Sequence, residues 1–186
     1  MNDPASPDRP VLAAAPERPG PAEESERERF IAAMRRVASS VSVITTMTDR
    51  GRMALTVSSF LSISADPPLV AVCIHRKSPM AAAVDRSGIL AVHVLAEHQG
   101  DVADTFAGRP RQGAPYDLSC TEWLESAEGG EPVLAGAAIS LEGRIVGGHD
   151  AGSHRLFIAQ VRQVRLGEHP PLLYWDRAYS APAKIA

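Results

Sequence analysis

A chain of 186 residues with 45% hydrophobic and 22% charged side chains carries enough apolar material for a real core and is expected to fold as one globular domain. Its formal net charge of −3 excludes a broad electrostatic grip on nucleic acid, so an anion site has to be local. The longest apolar runs are too short to span a bilayer, which argues against a membrane-embedded protein.

Residues 1–22 are rich in Pro, Ala, Glu and Arg without apolar periodicity and read as a flexible tail; the domain is expected over 23–186. The tail lacks the apolar stretch of a signal peptide, so a cytoplasmic setting is expected. Ser25 with Glu28 three positions on forms a capping box, and Phe30, Ile31, Met34 and Val37 repeat at helical spacing, predicting a first helix over 25–37. The period then changes to two. Segments 41–46 and 53–60 are β-branched and flank Thr48-Asp49-Arg50-Gly51, a hairpin turn. Extended chain continues through 62–64 until Asp66-Pro67-Pro68 breaks it. Strands follow over 69–75 and 89–95, with a helix between them. Cys73 lies inside the first of these and reads as a small buried hydrophobe; Cys120 is too distant to form a C-x-x-C pair with it.

A helix is expected over 97–106, with Val102 and Phe106 on one face, and then a polar, Gly-rich excursion over 108–131 anchored by Trp123 and Leu124. Two long strands, 138–146 and 154–166, are joined by the turn Gly147-Gly148-His149-Asp150-Ala151-Gly152-Ser153, and a last short strand covers 172–175. Many antiparallel strands with a few helices predict a mainly β protein, a closed or partly closed barrel that leaves few exposed edges.

The densest chemistry lies where the strand 69–75 delivers His75, Arg76 and Lys77 onto Ser78-Pro79. Ser is a favoured N-cap and Pro fits the first helical turn, so a helix should begin at Ser78 and stop near Gly88. Its free N–H groups, its partial positive charge and the cations just ahead of it would seat a phosphate. An ordinary capped helix with solvated basic residues accounts for the same pattern.

An ordered series of motifs resembles the short-chain flavin reductase family, the FMN-binding split barrels that act as reductase components of two-component monooxygenases. The series runs through 30–34, Val41-Ser42-Val43-Ile44-Thr45-Thr46, Leu55-Thr56-Val57-Ser58-Ser59-Phe60 and Asp66-Pro67-Pro68-Leu69-Val70. It continues through Lys77-Ser78, Ala91-Val92-His93-Val94-Leu95, Phe106-Ala107 and Pro132-Val133-Leu134. Gly152-Ser153-His154, Pro171-Leu172-Leu173-Tyr174 and Tyr179 complete it.

The resemblance implies a Greek-key-like antiparallel split barrel, a homodimer with flavin at its interface, and hydride transfer from NADH or NADPH to FMN or FAD for a separate flavin-dependent monooxygenase. It implies that Thr56, Ser58 and Ser59 line the flavin, that Lys77 and Ser78 hold its phosphate with Arg76 nearby, and that Phe106 lies near the ring. It implies His154 as the residue on the nicotinamide side, with Tyr174 and Tyr179 closing the same pocket. Flavin and nicotinamide would carry the chemistry, so neither a metal nor an obligatory general acid is expected. Three positions depart from the family pattern: Ala38-Ser39-Ser40-Val41 stands for Ala-Thr-Gly-Val, His93 for an Asn that would contact the flavin or main chain, and Gly152-Ser153-His154 for Gly-Asp-His. A tailoring enzyme on the same barrel, a non-catalytic flavin- or haem-binding module, and a metal site on His149, Asp150 and His154 are the competing readings.

Overall fold

A computed structural model describes residues 21–126 and 132–183, with side chains from residue 25 onward. Helix α1 (Pro21–Arg35) leads through β1 (Ser39–Ser40) into the hairpin β2 (Ser42–Thr48) and β3 (Gly51–Val57). A second hairpin, β4 (Leu61–Ala65) and β5 (Pro68–His75), precedes helix α2 (Pro79–Ser87), strand β6 (Ile89–Val94) and helix α3 (Gly100–Phe106). The excursion contributes the short strands β7 (Trp123–Leu124) and β8 (Val133–Leu134). The long hairpin β9 (Ile139–Ala151) and β10 (His154–Leu166) and the small hairpin β11 (Leu173–Trp175) and β12 (Ala178–Ser180) complete the chain. Among the described residues no helix is long and apolar enough to cross a membrane.

Seven strands form one antiparallel sheet in the order β3-β2-β6-β9-β10-β5-β4. Strands β3 and β4 occupy its two edges, yet only Ser58, Ser59 and Phe60 separate them in sequence. Six interstrand gaps would hold the edges of a flat sheet roughly 29 Å apart, whereas the linking residues reach no more than about 14 Å. The sheet must therefore curl until its edges meet at this link. The link is also clamped: Ser59 Oγ donates to the Cys73 carbonyl (2.8 Å) and accepts from the Cys73 N–H (3.1 Å), acting as a strand partner for β5. The result is the expected split barrel, with its edges joined at one point along the seam.

Strand periodicity divides the apolar residues between two cores. Ile44, Val72, Ile74, Leu90, Val92 and Phe157 fill the barrel with Met80, Ala81 and Val84 of α2, and Met53 and Leu55 of β3 pack against them. Their sequence neighbours Val43 and Ala54 face the other way and join Leu95, Phe106, Leu134 and Leu172 in a second core beneath α3. Helix α2 follows its sequence signals. Ser78 is the N-cap, its Oγ accepting from the Met80 N–H (3.3 Å), and Gly88 closes the helix in the left-handed region (φ 65°); such an N-cap contributes about 1 kcal/mol.

Several expectations change. Helix α1 starts at Pro21, which places Ser25 inside it rather than at its cap, and Phe30, Met34 and Val37 are exposed rather than packed. The glycine-rich turn is mostly strand: β9 runs to Ala151, leaving Gly152 and Ser153 as the turn. Gly148 serves close approach rather than turning, since a Cβ there would stand 3.2 Å from the Leu156 carbonyl oxygen. Trp123 anchors the excursion by packing on the second core, its ring 6.1 Å from that of Phe106, and donates to the Leu118 carbonyl within the excursion (2.7 Å), but Leu124 is exposed. Cys73 is half-buried rather than buried, and both cysteines are free thiols.

His93 belongs to the core as well. It has no exposed surface, and its ring nitrogens lie 3.0 Å from Thr45 Oγ1 and 2.9 Å from Ser140 Oγ. The Thr45 hydroxyl already donates to the Pro132 carbonyl (2.9 Å), so Nε2 must carry the ring proton and Nδ1 must accept from Ser140. Burial lowers the His93 pKa to about 3.

Two stability predictions follow from these contacts. At Gly143 an added Cβ would stand 2.5 Å from the Gln160 carbonyl oxygen, so Gly143→Ala should cost about 1–3 kcal/mol in urea denaturation. His93 is neutral in both folded and unfolded chains above pH 6.5; below that the unfolded chain takes up the proton first, and stability is lost down to about pH 3. In denaturation series at pH 7.5, 5.5 and 4.5, the stability advantage over His93→Asn should shrink on acidification, with a limiting slope of about 1.4 kcal/mol per pH unit.

Candidate functional site

The seam of the barrel opens into a cavity of about 500 Å³. One wall is the end of β3 and its link, residues Leu55 to Ser59; the other is Cys73, Ile74 and His75 of β5 with His154 at the start of β10. Antiparallel pairing sets His154 opposite His75, and the two rings meet edge to face with centroids 5.3 Å apart. Ser153 Oγ lies 2.9 Å from His154 Nδ1. His154 is exposed, so its ring is available to a molecule in the cavity.

The three hydroxyls at the end of β3 have different tasks. Thr56 donates to the Ala103 carbonyl of α3 (2.8 Å), tying the edge strand to the second core. Ser59 is spent on the Cys73 clamp. Ser58 is exposed, has no side-chain partner among the described residues, and lines both the seam cavity and a neighbouring one of about 180 Å³. Thr56 and Ser59 therefore shape the wall, and Ser58 is the hydroxyl left to bind.

Tyr174 and Tyr179 line that neighbouring cavity with Ala107 and Arg109. Their rings pack edge on at 5.6 Å, and the Tyr179 hydroxyl donates to Asp104 (2.6 Å). Burial, then the Asp104 carboxylate, pushes the Tyr179 pKa far up, so it is a fixed donor rather than a titrating acid. Phe106 lies nearby in sequence but has no exposed surface; it belongs to the second core, 6.1 Å from Trp123. A ligand can touch neither Phe106 nor His93, and both leave the list of contact residues.

At the corner, Arg76 and Lys77 are exposed and the Ser78 hydroxyl caps α2. The backbone there is held on both sides. The Arg76 N–H donates to the Ser153 carbonyl (3.0 Å), and the Lys77 N–H donates to His75 Nδ1 (3.2 Å), which couples the corner to the histidine pair. Arg76 shares Asp150 (3.9 Å) with Arg155, which also reaches Asp85. Lys77 has no ion-pair partner among the described residues and is the unneutralised charge beside the helix start.

The sequence marks His75 only as a neighbour of the cationic corner, not as the partner of His154, and does not mark Arg109 at all. The His75 position follows from the β5–β10 register, which a single sequence does not display; Arg109 follows no pattern. The proposed metal set does not assemble: His149 and Asp150 are consecutive on β9 and point to opposite faces. No cluster of three metal-ligating side chains occurs among the described residues.

Comparisons with known proteins bear on this arrangement. Residues 34–183 match the model of the flavin reductase like domain. The FMN reductase (NADH) RutF 1 of Methylorubrum extorquens (strain PA1) is 40% identical over 165 residues, covering 83% of this chain and 80% of that protein. The 4-hydroxyphenylacetate 3-monooxygenase reductase component of Thermus thermophilus is 31% identical, covering 82% and 95%. Among solved structures, flavin reductase PheA2 in its native state superposes with a TM-score of 0.77 at 31% identity, over 84% of this chain and 98% of that one. A match of this extent makes this chain a member of the flavin reductase like family.

Proposed function

We propose that this protein is an NAD(P)H-dependent flavin reductase that passes reduced FMN or FAD to a separate monooxygenase. The observation that carries the reading is the seam cavity, which joins the unpaired Ser58 hydroxyl, the His75–His154 pair and, through His75, the Lys77 corner. The printed names of the relatives, an NADH-dependent FMN reductase and a monooxygenase reductase component, support flavin as substrate, NADH as donor and an oxygenase as recipient.

The residues present fit a flavin nucleotide. A ring of alternating polar and apolar edges matches a cavity walled by the apolar Leu55, Val57 and Ile74 and by the free Ser58 hydroxyl. Lys77 and the capped start of α2 would hold the phosphate, with Arg76 second because Asp150 already engages it. When bound, the flavin accepts a hydride from the nicotinamide, and the chain's task is placement at near-attack distance, on the order of 3–3.5 Å. His154, braced by Ser153 and His75, would offer a ring N–H to the nicotinamide carboxamide. Backbone N–H groups near Ser58 would face the side of the flavin where negative charge grows. Tyr174 and Tyr179 would close the pocket from α3's side.

A homodimer is part of the proposal, and the exposed Leu61 and Ile63 on edge strand β4 support it as an apolar edge in need of cover. So is a cytoplasmic setting, consistent with two free thiols.

Titration of the purified protein with FMN and FAD, followed by anaerobic NADH or NADPH, should bleach bound flavin; a folded protein that binds flavin without bleaching would reject the reductase reading. The pair Lys77→Ala and Ser78→Ala should weaken FMN about tenfold or more, as loss of charge-assisted contacts does, and leave riboflavin nearly unchanged. Equal effects on both would reject the phosphate assignment. His154→Ala should raise KM for the nicotinamide while leaving the dissociation constant of flavin unchanged, measured by steady-state kinetics beside fluorescence titration.

A further inference from the structure

The charged side chains around the corner are not equally committed. Arg155 is well anchored: its guanidinium lies over the Phe157 ring (5.4 Å) and against Gly148, where a Cβ would stand 3.4 Å from Nε. Its Nη2 reaches Asp85 of α2 (3.4 Å), and its Nη1 reaches Asp150 of β9 (3.4 Å). Asp150 and Arg155 are also direct partners in the β9–β10 register, an arrangement that stabilises a strand pair. The contact between Asp150 and Arg76 is of another kind. Asp150 Oδ2 stands 3.9 Å from Arg76 Nη1, at the limit of an ion pair, and both side chains are about half exposed. A pair of that length and exposure adds little to stability.

What the contact does change is the use of a charge. A guanidinium engaged by a carboxylate is not free for the paired hydrogen bonds that make arginine a strong phosphate ligand, and the carboxylate itself repels an arriving phosphate. Arg76 is therefore restrained beside Lys77, which has no acidic partner among the described residues. The proposed reaction gives this restraint a purpose. A reductase that hands its product to another protein has to release it, and affinity gained through added contacts appears mainly as slower release. An acid that occupies Arg76 limits the grip on the phosphate without altering the ring pocket.

We propose that Asp150 is a positioning residue that holds Arg76 away from the flavin phosphate and so keeps flavin affinity low enough for release. The inference rests on the phosphate seat proposed above and adds a residue that limits the seat rather than builds it.

Asp150→Asn and Asp150→Ala test it, because Arg155 retains Asp85 and the Phe157 face in both. In fluorescence titration of the full chain at low ionic strength, each should bind FMN about two- to fivefold tighter than wild type, the order set by one exposed charge contact. Stopped-flow dissociation of FMN should slow by the same factor. Riboflavin, which has no phosphate, should bind variants and wild type alike, which also reports that the variants are folded. The gain should fade in roughly 1 M salt, where the screening length is about 3 Å. It should vanish in an Arg76→Ala background, and Asp150→Glu, which keeps the charge, should not show it. A scaffold role for Asp150 predicts the opposite sign, with FMN and riboflavin weakened together. FMN affinity that is unchanged or weakened, a gain shared by riboflavin, or a gain that survives Arg76→Ala would overturn the assignment. If the Lys77→Ala and Ser78→Ala pair still weakens FMN selectively in that case, the phosphate seat stands without it; if that pair fails as well, the seat falls too.

Discussion

The mismatch between sequence distance and sheet distance at β3 and β4 governs this molecule. Strands at opposite edges of a seven-stranded sheet are joined by three residues, and no flat arrangement satisfies that link. Closure is thus imposed by covalent reach before any packing term acts, and burial of Ile44, Val72, Leu90 and Phe157 inside the curl then stabilises it, each large apolar side chain contributing about 1.5–3 kcal/mol. Ser59 completes the closure. Its hydroxyl satisfies both backbone groups of Cys73, which would otherwise face the seam unpaired.

The site is a by-product of the same constraint. Where the two edges meet without continuous pairing, a slot remains, and the groups around it are those that end strands: the β3 terminus, the β5 terminus with His75, and the β10 start with His154. Strand register does the rest. Because β10 pairs with β5 from His154 opposite His75, the turn Gly152-Ser153 is carried to the corner, where the Ser153 carbonyl receives the Arg76 N–H. Cationic corner and histidine pair are therefore one rigid assembly, which suits a reaction that asks for placement rather than proton transfer.

Local signals in the sequence are legible where local physics decides the outcome. Ser78-Pro79 and Gly88 mark the ends of α2 because capping depends on a few consecutive residues. Thr48 and Gly51 mark the β2–β3 hairpin for the same reason. Non-local outcomes are less legible. Gly147 and Gly148 resemble turn residues, yet both pair with β10 inside β9, and at Gly148 the facing backbone approaches closely, a fact of pairing and not of propensity. The stripe of α1 is genuinely apolar, but nothing in a stripe says whether the same chain covers it, and Phe30 is 64% exposed. Within the site the motif residues converge, but their division of labour does not show in the motif: Thr56, Ser58 and Ser59 look alike in sequence, and only the partners of Thr56 and Ser59 separate scaffold from contact.

His93 extends that distinction from the seam to the core. A position where the family pattern has Asn holds an imidazole with one donor and one acceptor, and the structure uses both, in a direction fixed by the Thr45 hydroxyl's bond to Pro132. Pro132 lies just before β8, and Glu142, two residues beyond Ser140 on β9 and so on the same face, bonds Ser126, just after β7, and Arg165 of β10. Both arms of the β7–β8 connection are therefore tied to polar side chains of the main sheet, one through Thr45 of β2 and one through Glu142 of β9. Trp123 of the excursion stacks beneath Arg52, and Arg52 borders an opening along β3. A buried histidine far from the seam thus helps fix, through Thr45 and Pro132, the segment whose Trp123 holds Arg52 at the rim of that opening, and it does so through packing rather than contact.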